Sequence, residues 1–194
     1  MKMREINQLE FSTVLFDALF SLVLFFGMDS FLDMPNIQNF ILYIFSIVIL
    51  IHWWLLFKSA DDTFNTEVTD SIVDIIFGVA DIILLEYIIL FSKSFNFTGA
   101  TYCIVALFVA DIMWAVLWRF IGKWDTEDNI KIRRMELSLN KTIIYDLIFA
   151  LSFLILVLLN RYFSSIQYIT AFIILYITYI LSTFKEKIID IQIF

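Results

Sequence analysis

Hydrophobic and polar positions divide the chain into six long apolar stretches separated by polar breaks. The stretches lie near 9–28, 38–58, 70–92, 100–121, 141–160 and 165–184. Each is long enough to cross a bilayer as a helix, which takes about 20 residues. The breaks after the first, third and fifth stretches are short, so consecutive helices are expected to form antiparallel hairpins. The pattern predicts an all-α polytopic membrane protein. Its six transmembrane helices form three tandem helical hairpins within a single domain, 1–194. The break at 122–140 is the most charged. It runs Lys123-Trp124-Asp125-Thr126-Glu127-Asp128-Asn129 and on to Lys131, Arg133 and Arg134, with room for a short surface helix.

Within three of these stretches a carboxylate recurs in one setting. Thr13 is followed by Asp17, Phe20 and Ser21; Asp70 by Asp74, Phe77 and Gly78; Thr142 by Asp146, Phe149 and Ala150. A polar residue, Asp four later, Phe three after that and a small residue next is the shared pattern. On a helix the polar residue, the Asp and the small residue lie on one face. The second, fourth and sixth stretches end in an aromatic and a base: Phe57-Lys58, Trp118-Arg119 and Phe184-Lys185. The repeating unit is therefore expected to be a hairpin used three times in the same orientation. Such a repeat implies a pseudo-threefold axis along the membrane normal.

Composition agrees with the pattern. Hydrophobic residues make up 61% of the 194 positions, against about half in soluble domains. Only four Gly and one Pro occur, which favours plain, unbroken helices rather than the interrupted ones of many transporters. The net charge of −7 and the lack of a dominant basic patch argue against nucleic-acid binding. Cys103 is the single cysteine, so no intrachain disulfide can form, and its apolar surroundings predict a buried, inert thiol. Lys2 and Arg4 precede an apolar run too long for a signal peptide, so the run is read as a retained first span.

Basic residues set the orientation. In the six-span arrangement Lys2, Arg4, Lys58, Arg119, Lys123, Lys131, Arg133, Arg134, Lys141, Lys185 and Lys187 fall on one side. Only Lys93 and Arg161 fall on the other. The positive-inside rule then puts both termini in the cytoplasm, with the plasma membrane the expected location. The Trp residues 53, 54, 114, 118 and 124 gather toward the cytoplasmic ends, as an interfacial belt would.

Acidic residues inside the spans carry the candidate chemistry, since each costs about 2.5–3.5 kcal/mol to insert. Asp74 and Asp146 are expected within about two helical turns of the cytoplasmic face, and Asp17 somewhat deeper. Asp81 and Asp111 are expected near mid-membrane, and Glu86 in the outer half. Asp74, Gly78 and Asp81 share a face, so the acids outline a discontinuous line of the kind that serves as a proton relay or cation pathway. His52, the only histidine, is expected at the depth of the repeat acids. There it either titrates and gates the pathway or packs against an Asp as a hydrogen-bonded imidazole. A structural reading stands beside this one. Asp17 can pair with Lys58, Asp74 with Arg119 and Asp146 with Lys185, the bases snorkelling back toward them. Asp81 and Asp111 have no base at matching depth and can instead pair with each other, one of them protonated.

No metal site is specified, because one His and scattered carboxylates fit many ions. No cofactor is expected. Nor does the chain carry a Ser-His-Asp set or a metalloprotease helix, so no enzyme activity is expected. Tyr145-Asp146 and Gly78-Val79-Ala80-Asp81 are similar to the paired motifs of intramembrane aspartyl proteases. However, their order is reversed, and the second lacks the Gly directly before its Asp.

Two families are resembled in part. Phe16-Asp17-Ala18-Leu19-Phe20, then Trp53-Trp54 and Asp61-Asp62, resembles the opening of the low temperature requirement A membrane-protein family. That family begins with a Phe-Asp-hydrophobic-Phe helix, followed by a Trp-rich helix and an acidic turn. The match runs from the start of the chain to near Asp70, and the acidic turn recurs beyond it as Trp124-Asp125-Thr126-Glu127-Asp128. Phe11-Ser12-Thr13, with the span count and the aromatic–His second helix, resembles the lysosomal-type potassium channels built from six-helix units. Thr13 stands where that family has Asp, so its filter does not carry over.

The resulting expectation is a small channel or transporter component that moves protons or cations. Asp81 and Asp111 would be its central groups, with Asp17, Asp74, Asp146 and His52 at a cytoplasmic mouth. The alternative is a non-transporting sensor, effector or assembly subunit whose buried charges are ion pairs. The partners expected are the lipid bilayer, further copies of the chain in a homo-oligomer, and a protein docked at loop 122–140.

Overall fold

A computed structural model describes residues 17–25, 37–64, 72–121 and 129–192. Among them the structure is entirely helical. We label the helices α1 (17–25), α2 (Ile37–Phe64), α3 (Ile72–Lys93), α4 (Phe97–Ile121), α5 (Asn129–Leu158) and α6 (Ser165–Gln192). Five contain segments long and apolar enough to cross a membrane: Ile37–Leu56, Ile75–Lys93, Phe97–Phe120, Leu139–Leu158 and Ser165–Thr183. The predicted first span coincides with α1 only over 17–25; the rest of it lies outside the described residues.

The turns follow from local sequence. Between α3 and α4 only Ser94, Phe95 and Asn96 intervene. Phe95 takes a left-handed conformation (φ 59°), unusual for a residue with a Cβ. The Asn96 amide reaches back to the Phe91 carbonyl at 2.9 Å. Asn96 then caps α4, its side-chain oxygen accepting from the Gly99 amide at 2.9 Å. A Cβ on Gly99 would stand 2.8 Å from that Asn96 side chain, so the cap needs glycine there. A 3₁₀ turn, Asn160–Tyr162, joins α5 to α6. Ser164 opens α6 with a capping box: its amide donates to Gln167 Oε1 (2.9 Å), and the Gln167 amide donates to Ser164 Oγ (3.4 Å).

α4 is the central helix, packed on α3, α5 and α6. Its buried residues Ala100, Ile104, Leu107, Phe108, Ala115 and Trp118 repeat at the three- and four-residue spacing of one helical face. The most extensive pairing joins α4 to α5, across a boundary between two of the expected hairpins rather than within one. α5 begins at Asn129, so the charged segment that precedes Lys141 runs into the fifth span as one helix. Trp53 and Trp118 are buried within the bundle. Their flat rings fill space between helices, Trp53 lying 6.0 Å from the Phe108 ring.

Neutral hydrogen bonds stitch the helices near the 94–96 turn. Ser46 and Ser92 hydroxyls meet at 2.6 Å between α2 and α3, and Ser46 and Ser92 also bond the Leu42 and Ile88 carbonyls. Asn39 donates to the Lys93 carbonyl at 2.8 Å. Tyr168 donates to Thr101 at 2.8 Å, and Asn160 to Thr98 at 2.8 Å.

Candidate functional site: a carboxyl trio wired to His52

Helical spacing puts three acids on the inward stripes of three helices. Asp111 falls on the α4 face that buries Phe108 and Ala115. Asp81 lies among Gly78, Ile82 and Leu85 on α3, and Asp146 among Leu139, Phe149 and Phe153 on α5. The spans of these helices have Lys93, Phe97 and Leu158 at the ends nearest the 94–96 turn. Asp81 lies between three and four helical turns from Lys93, and Asp146 the same distance from Leu158; Asp111 lies about four turns from Phe97. At the rise of a helix all three are about 18–21 Å from that end, at one level. Electrostatic interactions join all three, and the Asp111 and Asp146 carboxyls are in hydrogen-bonding contact.

Asp146 is 1% exposed. Its Oδ1 accepts a hydrogen bond from the Tyr179 hydroxyl of α6 at 3.1 Å. Its Oδ2 and the Oδ1 of Asp81 are buried with no donor in reach. An ionised carboxylate is an acceptor only. Asp111 and Asp146 can therefore bond each other only when one of them carries a proton. Three separate negative charges here would be both desolvated and mutually repelled.

His52 of α2 faces the same region. Its Nδ1 lies 3.0 Å from the Tyr176 hydroxyl, and its Nε2 lies 3.4 Å from Thr183 Oγ1. The Thr183 hydroxyl already donates its one hydrogen to the Ile180 carbonyl at 2.8 Å, so toward His52 it accepts. In a neutral imidazole this arrangement suits a proton on Nε2, with Tyr176 donating to Nδ1. The His52 ring also stands edge-on to Tyr179, 5.5 Å between centroids. Tyr179 therefore touches the histidine with its ring and an acid with its hydroxyl. Phe108 and Phe149 hold that ring at 4.8 and 5.0 Å.

The structure brings together four of the sequence candidates: Asp81, Asp111, Asp146 and His52. The depths differ from expectation. Counted from the 94–96 end, at Lys93 and Leu158, Asp81 and Asp146 lie level with one another. Asp146 thus belongs with Asp81 and Asp111, not with a separate mouth. Asp17 is half-buried, its Oδ1 accepting from Trp54 Nε1 at 3.0 Å. Arg119 donates to Asn140 Oδ1 at 2.9 Å. The side chains of Asp74, Lys58 and Lys185 lie outside the described residues. Glu86 is exposed on the outer face of α3, so no interior acid line runs through it. Cys103 is a buried free thiol.

The sequence reading missed Tyr176, Tyr179 and Thr183. They follow Tyr168 and Phe172 down one face of α6, a spacing visible in the sequence once polar tips on that face are sought. Among the described residues no group of three or more His, Cys, Asp or Glu could hold a metal ion. No family model, no curated protein and no solved structure matches this chain.

Proposed function

We propose that this is a small channel or transporter component that moves protons, or cations, along its intramembrane carboxylates. The observation that carries the reading is the buried network at one level of the bundle. Asp81, Asp111 and Asp146 stand together, Tyr179 binds Asp146, and His52 packs against Tyr179. Ionisable groups this deep in a span are costly and are used mainly where charge must cross. Protons suit the network better than coordinated metal ions. Its bonds are those of carboxyl, phenol and imidazole, each of which can take up or release a proton. With both termini in the cytoplasm, the Thr183 end of α6 faces inward, and His52 is the group through which the trio exchanges protons with that side. The six-span, three-hairpin architecture and the plasma-membrane location belong to the same proposal.

The test is proton flux into proteoliposomes holding purified protein and a pH-sensitive dye. Wild-type protein is expected to carry a flux driven by an imposed potential. Asp111→Asn, similar in size, is expected to reduce it by about a hundredfold or more, the scale of a lost proton-transfer group, while the protein still folds. Wild-type vesicles no leakier than protein-free ones would end the transport reading.

One observation favours the second reading, a non-transporting sensor, effector or assembly subunit. The Asp17–Trp54 bond joins α1 to α2, as expected of an acid used to lock helices together. In that reading the loop at 122–140 is the surface for a partner protein. Its deletion would abolish partner capture and leave vesicle flux untouched.

A further inference from the structure

Tyr179 is only 2% exposed, and its ring is wedged among His52, Phe108 and Phe149. A ring so held has little freedom to swing. Its hydroxyl has one hydrogen, and that hydrogen goes to Asp146 Oδ1 at 3.1 Å. The other oxygen of the same carboxyl, Oδ2, is buried with no donor in reach. The Asp111 carboxyl interacts with this same carboxyl and can become a donor to it only when protonated.

We infer that Tyr179 is the positioning residue of the trio: its hydroxyl pins one oxygen of Asp146 and turns the other onto Asp111, where the two carboxyls share one proton. The inference rests on the reading that protons move through the trio, and it names the device that sets their path. Without the pin, the Asp146 carboxyl is free to rotate about its last bond. It can then present either oxygen, or neither, to Asp111. A relay whose donor and acceptor are no longer aligned is slow even when both groups remain. Tyr176 does not serve this role, because its hydroxyl is directed to His52 Nδ1. The two tyrosines meet through their rings, 5.8 Å between centroids.

Tyr179→Phe is the appropriate variant, since it keeps the wedged ring and removes only the hydroxyl. Two measurements are made on full-length protein in lipid vesicles. The first is proton flux, which is expected to fall about tenfold, as for loss of one hydrogen bond to a charged group. The second is the infrared carbonyl stretch of protonated carboxylic acid, recorded without any gradient. Wild-type protein is expected to show a band from a strongly hydrogen-bonded acid, and Asp111→Asn is expected to remove it. Should Asp111→Asn fail to fold, Asp146→Asn replaces it. In Tyr179→Phe the band is expected to move toward the position of a weakly bonded acid. A purely structural tyrosine would lower the melting temperature and leave the band where it was.

Two infrared results would overturn the inference: the same band in Tyr179→Phe as in wild type, or no protonated-acid band in wild type at all. A wild type that shows the band but carries no flux would refute transport alone. The infrared comparison would still decide the role of Tyr179.

Discussion

The two polar layers of the bundle are built on opposite terms. Near the 94–96 turn, Ser46, Ser92, Thr101 and Tyr168 bond to backbone carbonyls or to one another. Each bond there is between neutral groups and needs nothing from outside. At the level of Asp81, Asp111 and Asp146, two buried carboxyl oxygens have no donor in reach, and the contact between Asp111 and Asp146 is a bond only when a proton is present. The Ser46–Ser92 and Thr101–Tyr168 bonds are each satisfied as built, and satisfied bonds rigidify. The second layer is completed by a particle that can leave. Within one fold, the neutral layer joins helices through hydroxyl bonds, and in the proposed reading the acidic layer holds a mobile proton.

The most severe way to break this contrast is to remove the ring that borders the acidic layer. Phe108 is fully buried and stands 4.8 Å from Tyr179 and 5.9 Å from Phe153. Phe108→Ala should cost about 3–5 kcal/mol of stability, the usual loss for a large core ring and the cavity left behind. Thermal unfolding in detergent would register it. A loss under about 1 kcal/mol would mean that the helices close over the gap, and that the rings do not set the spacing around Tyr179.

Next in size is Asp111→Asn. It separates the layers by function, with flux lost about a hundredfold and unfolding temperature kept or raised. A rise is reasonable because the substitution removes a charge from a half-buried position beside two other carboxyls. A fall in stability without any change in flux would instead make the trio structural, and the contrast between layers would vanish.

The contrast also explains what the sequence reveals and what it hides. Helices are legible because an apolar run such as the one around Ile82-Ile83-Leu84-Leu85 has no other setting once it reaches about 20 residues. Their packing is not. In a bilayer the lipid-facing side is as apolar as the core: Ile83 and Met113 are exposed, while Leu85 and Phe108 are buried. Apolar periodicity therefore cannot point a helix inward, and only the polar residues mark the buried face. Asp81 and Asp111 do so, and they read as central groups from sequence alone. Asp146 reads instead as the partner of a base at the end of its own hairpin. Sequence proximity favours that partner, whereas depth matches Asp146 to helices from another hairpin. The tyrosines of α6 escape notice because a phenol is equally at home in a core or at an interface. The register of the acids depends on where α3 enters the span, and hydropathy alone blurs that boundary.

A smaller test sits at the edge of the bundle. Trp54→Phe removes the indole donor to Asp17 and keeps an aromatic ring on α2. About 0.5–1.5 kcal/mol should be lost, the range for a single hydrogen bond, with proton flux unchanged where the bond serves only to lock α1 to α2. A parallel loss of flux would place Asp17 back on the pathway.

The smallest effect should belong to the neutral layer itself. Ser46 and Ser92 face each other at 2.6 Å across α2 and α3, and each also bonds a carbonyl of its own helix. Each serine has one hydrogen to give, so the carbonyl and the opposite oxygen compete for it. Removing one hydroxyl leaves the other still satisfied by its own backbone. Ser46→Ala, Ser92→Ala and the double variant should therefore yield a coupling of only about 0.6 kcal/mol, typical of hydrogen bonds between membrane helices. Flux should not move in any of the three. A coupling several times larger would show that the serines lock α2 to α3 more tightly than two self-satisfied hydroxyls can. A change in flux would show that the neutral layer also carries protons.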